Sequence, residues 1–204
     1  MGEGIRAEMA SGKWFEAGDL SLAEDRAYAS SVMRKYNYDQ ELNDEERTGL
    51  LRELFGAFGD HSSIAPGLQV DYGYNVFIGE RCFINYNCSM LDGAPITFGD
   101  DVWVGPQVVF ATALHPLLAE ERNMRIDVQG EVHLWERSEE IRIGNGVWIA
   151  SNATINPGVT IGDGAVIGAG SVVTKDIPAG VLAFGSPCKP VRAISEADHE
   201  NLPL

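Results

Sequence analysis

The sequence predicts an all-β dominated chain, a parallel β-helix built from hexapeptides, and two observations carry the prediction. From Ile141 to Asp176 the chain reads IRIGNG, VWIASN, ATINPG, VTIGDG, AVIGAG, SVVTKD. The third positions, Ile143, Ile149, Ile155, Ile161, Ile167 and Val173, recur at a period of six without a slip, the signature of hexapeptide coils. Each block also opens on an aliphatic or small residue, and Gly, Ala, Asn or Thr follows each third position. A helix needs apolar positions every three to four residues and an amphipathic strand needs plain alternation, so neither fits. Each hexapeptide supplies one short strand and one turn, and three make a triangular coil. The third-position residue points inward and stacks on its equivalent three blocks later. Gly and Asn suit the tight corners because both tolerate positive φ.

Residues 1–60 have a different texture and form a small helical segment. Ser21-Leu-Ala-Glu24 is a capping box that opens a helix running to about Tyr36. Asn43-Asp-Glu-Glu46 starts a second, with Leu50, Leu51, Leu54, Phe55 and Phe58 as its apolar stripe. Two short helices bury little alone, so they pack on the β-helix or on a neighbouring subunit. Residues 61–190 are the coil. Its early part is less regular: Ile78 and Ile84 lie six apart, Leu91 and Phe98 each follow after seven, and Val104 and Phe110 restore the step. One-residue insertions would bulge those corners.

The period breaks over residues 114–140, a long protruding loop of the kind that is commonly functional. It starts at Leu114-His115-Pro116 and passes through His133-Leu134-Trp135-Glu136-Arg137 before the repeat resumes in phase at Ile141. Prolines and glycines end the coil after Asp176, and residues 191–204 form a tail.

A net charge of −15 opposes general nucleic-acid binding, which needs a cationic surface. No apolar run marks a signal peptide or a membrane span, so a cytoplasmic protein is expected. Cys82, Cys88 and Cys188 lack CxxC spacing and read as buried structural thiols. Between Ser171 and Arg192 the cations Lys175, Lys189 and Arg192 face the single acid Asp176, a cationic island suited to a phosphorylated ligand.

With these residues in view, the chain resembles the maltose/galactoside O-acetyltransferases, the sugar-acetylating branch of the hexapeptide-repeat acyltransferases. The resemblance runs from about Gly12 to Ile194. It rests on Gly12-Lys13 before two helices, Asp71-Tyr72-Gly73, Asn85-Tyr86-Asn87, Leu91-Asp92, Ala113-Leu114-His115-Pro116-Leu117, Asn156-Pro157-Gly158, Val173-Thr174-Lys175-Asp176 and Gly185-Ser186-Pro187-Cys188-Lys189. It implies a left-handed coil, a homotrimer with active sites between subunits, and direct acetyl transfer from acetyl-CoA to a small-molecule acceptor, a sugar, with no metal. His115 matches the catalytic base. A sugar hydroxyl is too weak an acid to attack a thioester unaided, and an imidazole of pKa about 6.5 can take its proton near neutral pH.

Asp71, Asn85 and Asp92 match the polar positions of the acceptor site, where they could hydrogen-bond sugar hydroxyls or orient the imidazole, and Asp19 (or Glu16) matches the N-terminal acid. Ser151, Ala169, Thr174, Lys175, Lys189 and Arg192 match the coenzyme site, where Gly168 and Gly170 allow close approach of an extended ligand. The chain departs from the family in having Asp71 where some members carry Ser, Asp92-Gly93 where some carry two acids, and a longer loop. His133, Trp135 and Glu136 on that loop could reshape specificity, Trp135 by stacking on a sugar or by anchoring the loop to a neighbour.

Three other readings use the same coil. An antibiotic or other small alcohol could replace the sugar. A γ-type carbonic anhydrase needs three zinc-binding histidines, and His61, His115, His133 and His199 lack its spacing. A catalytically silent scaffold would have no use for His115 together with Thr174-Lys175.

Overall fold

The structure, a computed structural model, describes residues 2–203. It is a left-handed parallel β-helix of about six turns, with short helices at its N-terminal end. Three flat faces form the prism. The first face stacks Ala57–Phe58, Val76–Ile78, Ile96–Phe98, Ile141–Ile143 and Thr160–Ile161. The second runs from Ser63–Ile64 through Phe83–Ile84, Trp103–Val104, Trp148–Ile149 and Val166–Ile167. It closes on the antiparallel hairpin Val181–Gly185 and Cys188–Ala193. The third stacks Gln69–Val70, Ser89–Leu91, Val109–Ala111, Thr154–Ile155 and Val172–Val173. The coil thus begins at Ala57, inside the segment expected to be helical, and its last strand runs to Ala193.

The hexapeptide period does what it predicts. Ile143 pairs with Ile161, Ile149 with Ile167 and Ile155 with Val173, each three blocks on. These side chains are almost wholly buried, and burying each is worth about 1.5–3 kcal/mol. One position differs from expectation. The inward residue on the third face is Met90, in register with Val70 and Phe110, and Leu91 turns partly outward. The two apparent one-residue insertions before Phe98 are therefore one widened corner, at Asp92-Gly93-Ala94-Pro95, where the chain leaves the third face. The preceding turn is widened at the same corner, by Asp71-Tyr72-Gly73-Tyr74-Asn75, and the long loop after Ala111 lies there too.

Corners leaving the first face instead carry a side-chain ladder. Asp100 Oδ1 accepts from the Glu80 amide at 2.8 Å, Asn145 Oδ1 from Asp100 at 2.9 Å, and Asp163 Oδ1 from Asn145 at 2.7 Å.

Helix α1 spans Gly2–Ala10, a helix the sequence reading did not anticipate. Helix α2 spans Leu20–Tyr38 and is capped by Asp19, not by Ser21: Asp19 Oδ1 accepts from the Ser21 amide at 2.8 Å and its hydroxyl at 2.5 Å. Helix α3, Asp44–Leu54, carries the expected Asn43/Glu46 capping box. The apolar faces of α2 and α3 (Ala29, Met33, Tyr36, Leu51, Leu54) join the coil core at its open N-terminal end. Asn37 fixes the dock, donating to the Leu68 carbonyl at 2.8 Å and accepting from the Gly67 amide at 2.8 Å. Cys82, Cys88 and Cys188 are free thiols, all buried. Among the described residues no helix is long and apolar enough to cross a membrane.

Candidate active site

The loop is anchored at both ends by a small antiparallel sheet. Ala113–Leu114 pairs with Trp135–Ser138, which pairs on its other edge with Phe15–Glu16. Side chains alternate across such a sheet. With Leu114 opposite Arg137, His115 and Glu136 fall on one face and Arg137, Trp135 and Trp14 on the other. The outer face packs on itself: the Arg137 guanidinium lies 5.5 Å from the Trp14 ring centre, and Trp14, Trp135 and Pro116 line one cleft. The Trp135 backbone is held by pairing with Glu16, while its exposed ring lines the cleft.

On the inner face, Glu136 is partly buried and its carboxyl is pushed up by burial, held back by the neighbouring His115 ring, and raised again by Asp71. Asp71 is likewise pushed up by burial and held back by Arg26. Arg26 donates to the Tyr72 hydroxyl at 2.6 Å and lies 5.6 Å from its ring centre. An exposed imidazole, two partly desolvated carboxylates and a guanidinium therefore converge at the widened corner. Such a grouping can move a proton and hold a polyhydroxyl ligand.

Asp92 is wholly buried beneath this group. Its Oδ1 accepts from the Asp71 and Tyr72 amides at 3.0 and 2.9 Å, and its Oδ2 from those of Gly73 and Asn75 at 2.7 and 3.3 Å. Burial pushes the carboxyl up to about 6 although these amides favour its ionised form. Asp92, which the resemblance matches to the acceptor site, has its oxygens occupied by the turn that carries Asp71. Gly93 follows because the strand 135–138 passes close. A Cβ there would lie 2.4 Å from Ser138 Oγ, so a side chain at this position would displace that hydroxyl.

The structure does not bring Asn85 to this group. Asn85 sits at the corner leaving the second face, with the third face between it and His115, and its Oδ1 accepts from the Tyr86 amide at 2.8 Å. Ser151 and Ala169 lie in Asn85's corner column, linked by the bonds Gln107 N to Tyr86 O, Asn152 N to Pro106 O and Gly170 N to Ser151 O. Thr174 and Lys175 occupy His115's corner two turns further on. Lys189 and Arg192 are on the terminal hairpin.

Arg192 is bound by both Asp198 oxygens, at 2.8 and 2.6 Å, which weakens the cationic island. Gly168 also has a packing reason within the coil. Its Cβ would lie 2.7 Å from Phe184 Cβ, a contact with the next coil, whereas Gly170, at φ +69°, meets nothing within 4 Å. Asp19 serves as the cap of α2, its Oδ1 bound by the Ser21 amide and hydroxyl.

Sequence reasoning placed Glu136 only on a variable loop and missed Arg26 and Tyr72. The signal for Glu136 was the alternation Trp-Glu-Arg-Ser, a strand inside an apparent loop. Arg26 and Tyr72 meet only through folding, on a helix and a corner far apart in sequence.

The chain is similar over most of its length to known proteins. Residues 140–175 match a family model described as bacterial transferase hexapeptide (six repeats), and residues 8–59 one described as maltose acetyltransferase hexapeptide capping motif. Galactoside O-acetyltransferase of Escherichia coli (strain K12) is 39% identical over 198 residues, covering 97% of this chain and 91% of that protein. The crystal structure of a maltose O-acetyltransferase from Clostridium difficile 630 superposes with a TM-score of 0.86 at 41% identity, covering 94% of this chain and 98% of that one. A galactoside acetyltransferase in complex with coenzyme A gives a TM-score of 0.86 at 36% identity, covering 98% and 96%. Coil and N-terminal cap match family models and the identity runs over nearly the whole length, so the chain belongs to the galactoside/maltose O-acetyltransferase family of hexapeptide acyltransferases.

Proposed function

We propose that the chain transfers acetyl from acetyl-CoA to a sugar hydroxyl with His115 as general base. The observation that carries this is the pairing of exposed His115 with partly buried Glu136 on one face of the loop sheet. The neutral imidazole takes the hydroxyl proton as the oxygen attacks the thioester carbon. The tetrahedral intermediate then expels the CoA thiolate, which recovers the proton from the imidazolium. Glu136 stabilises the imidazolium between these steps. Asp71, Arg26 and Asp19 hold acceptor hydroxyls, and Asp92 sets the Asp71 turn from below.

The site is completed by a second copy of the chain. Trp103 and Trp148 stack outward on the second face at 60% and 52% exposure, beside Phe83, an apolar column of the kind that marks an interface. A homotrimer that covers this face brings the corner bearing Asn85, Ser151 and Ala169 to a neighbour's His115. Coenzyme A then runs along that corner, its phosphates near Lys175 and Lys189.

Thiol release from acetyl-CoA with glucosides, galactosides, maltose, amines and antibiotic alcohols tests the reading. Sugar-dependent turnover in wild type, reduced by about 10²–10⁴ in His115→Ala with coenzyme binding retained, is the expected result. Turnover with an antibiotic alcohol alone would replace the sugar, and full activity in His115→Ala would remove the base.

A further inference from the structure

One cluster of ionisable groups outside the catalytic face ties the loop to the N-terminal segment. Val132–His133 forms a hairpin with Arg125–Ile126. His133 Nδ1 lies 3.0 Å from Glu16 Oε2, and its Nε2 lies 3.5 Å from Asp127 Oδ2. The other Glu16 oxygen accepts from the Leu134 amide at 2.5 Å, and the Ala17 amide donates to the Leu134 carbonyl at 2.8 Å. Asp127 Oδ1 meanwhile accepts from the Gln129 and Glu131 amides, both at 2.8 Å, which fixes the turn of the hairpin.

A neutral imidazole has one N–H and one lone pair. Only the imidazolium donates to both carboxylates. Glu16 from the N-terminal strand and Asp127 from the hairpin turn are the charged groups that face the ring. Arg125, the partner of His133 across the hairpin, is turned onto the Glu120 carbonyl, with Nε at 2.9 Å.

The strand beginning at Trp135 follows one residue after His133 and is paired by Phe15–Glu16, with Phe15 opposite Glu136. We infer that His133 is a positioning residue: bridging Glu16 and Asp127, it clamps the loop onto the N-terminal strand and so sets Glu136 against His115. This rests on the reading of His115 as the base. The two carboxylates, Glu16 first, hold the His133 pKa above its ordinary value. A group raised in this way keeps its contribution below the shifted pKa and loses it as pH rises through that value. His133 must be charged to clamp, whereas His115 must be neutral to act, so the two define opposite limbs of the rate profile.

Amide hydrogen exchange over residues 132–138 reads the clamp without turnover, and comparing variants at each pH cancels the intrinsic pH dependence. His133→Gln is expected to exchange up to about fivefold faster than wild type at low pH, the scale of a partly exposed charge pair, and to converge with it at high pH. Asp127→Asn keeps the Oδ1 acceptor for the turn and should move the convergence to lower pH. Equal exchange at every pH overturns the clamp. With an acceptor that turns over, kcat of His133→Gln is expected to fall by a similar factor at low pH, with KM for acetyl-CoA unchanged. An unchanged kcat where exchange differs overturns the positioning role. Failure of the proposed reaction shows separately, as a wild type without turnover whose exchange difference is intact.

Discussion

The Gly73 amide donates to Asp92 Oδ2 at 2.7 Å, so a carboxylate buried on one coil holds a left-handed turn on the coil below, Gly73 lying at φ +83°. Asp92→Asn keeps the shape of this anchor but points an NH2 group at backbone donors. The expected cost is on the order of 2–4 kcal/mol, because buried donors lose their acceptor. Urea denaturation measures it, and an unchanged midpoint would contradict the anchoring role.

Gly73 itself is the second half of that relationship. A Cβ there would lie 2.4 Å from Leu54 Cγ, and the φ is one that L residues rarely adopt. Gly73→Ala is expected to lose roughly 1–3 kcal/mol through strain, and to loosen α3 from the coil. A crystal structure of the variant with α3 undisplaced, and undiminished stability, would refute this.

Glu136→Gln removes a charge without changing size. If Glu136 stabilises the imidazolium, kcat falls by about tenfold or more, while coenzyme affinity, read by calorimetry, stays as in wild type. Equal losses in kcat and coenzyme binding would instead indicate that the loop sheet had come apart.

Trp148 and Trp103 pair directly across adjacent turns of the second face. Trp148→Glu places a charge in this column, and if the proposed homotrimer covers this face, the variant is expected to sediment as a monomer where wild type sediments as a trimer, with acetyl transfer lost in parallel. Active monomers would show that one chain holds a complete site.

The coil was legible because its period is enforced by stacking: a residue out of phase would turn its aliphatic side chain to solvent. Legibility failed where side chains compete with the backbone. Asp19 and Ser21 both suit a helix start, and only the bonds formed decide for Asp19. Leu91 and Met90 are both apolar neighbours, so the column could be misassigned by one while the widened corner absorbed the difference. Asp92 was marked as functional by its type, but its burial depends on the Asp71–Asn75 turn folding over it. Glu136 lies in a stretch without hexapeptide period, where the strand exists only because Phe15–Glu16 and Ala113–Leu114 flank it.

The widened corners and the long loop leave the coil at one edge, after the third face, while Val70, Met90, Phe110, Ile155 and Val173 continue their stack past it without interruption. Lengthening a loop that starts and ends at fixed points costs only about 0.6 kcal/mol per doubling. The scaffold therefore separates durability from novelty: insertions at this edge can be tried and discarded, altering which acceptors fit, while the stack that keeps the protein folded is never rewritten.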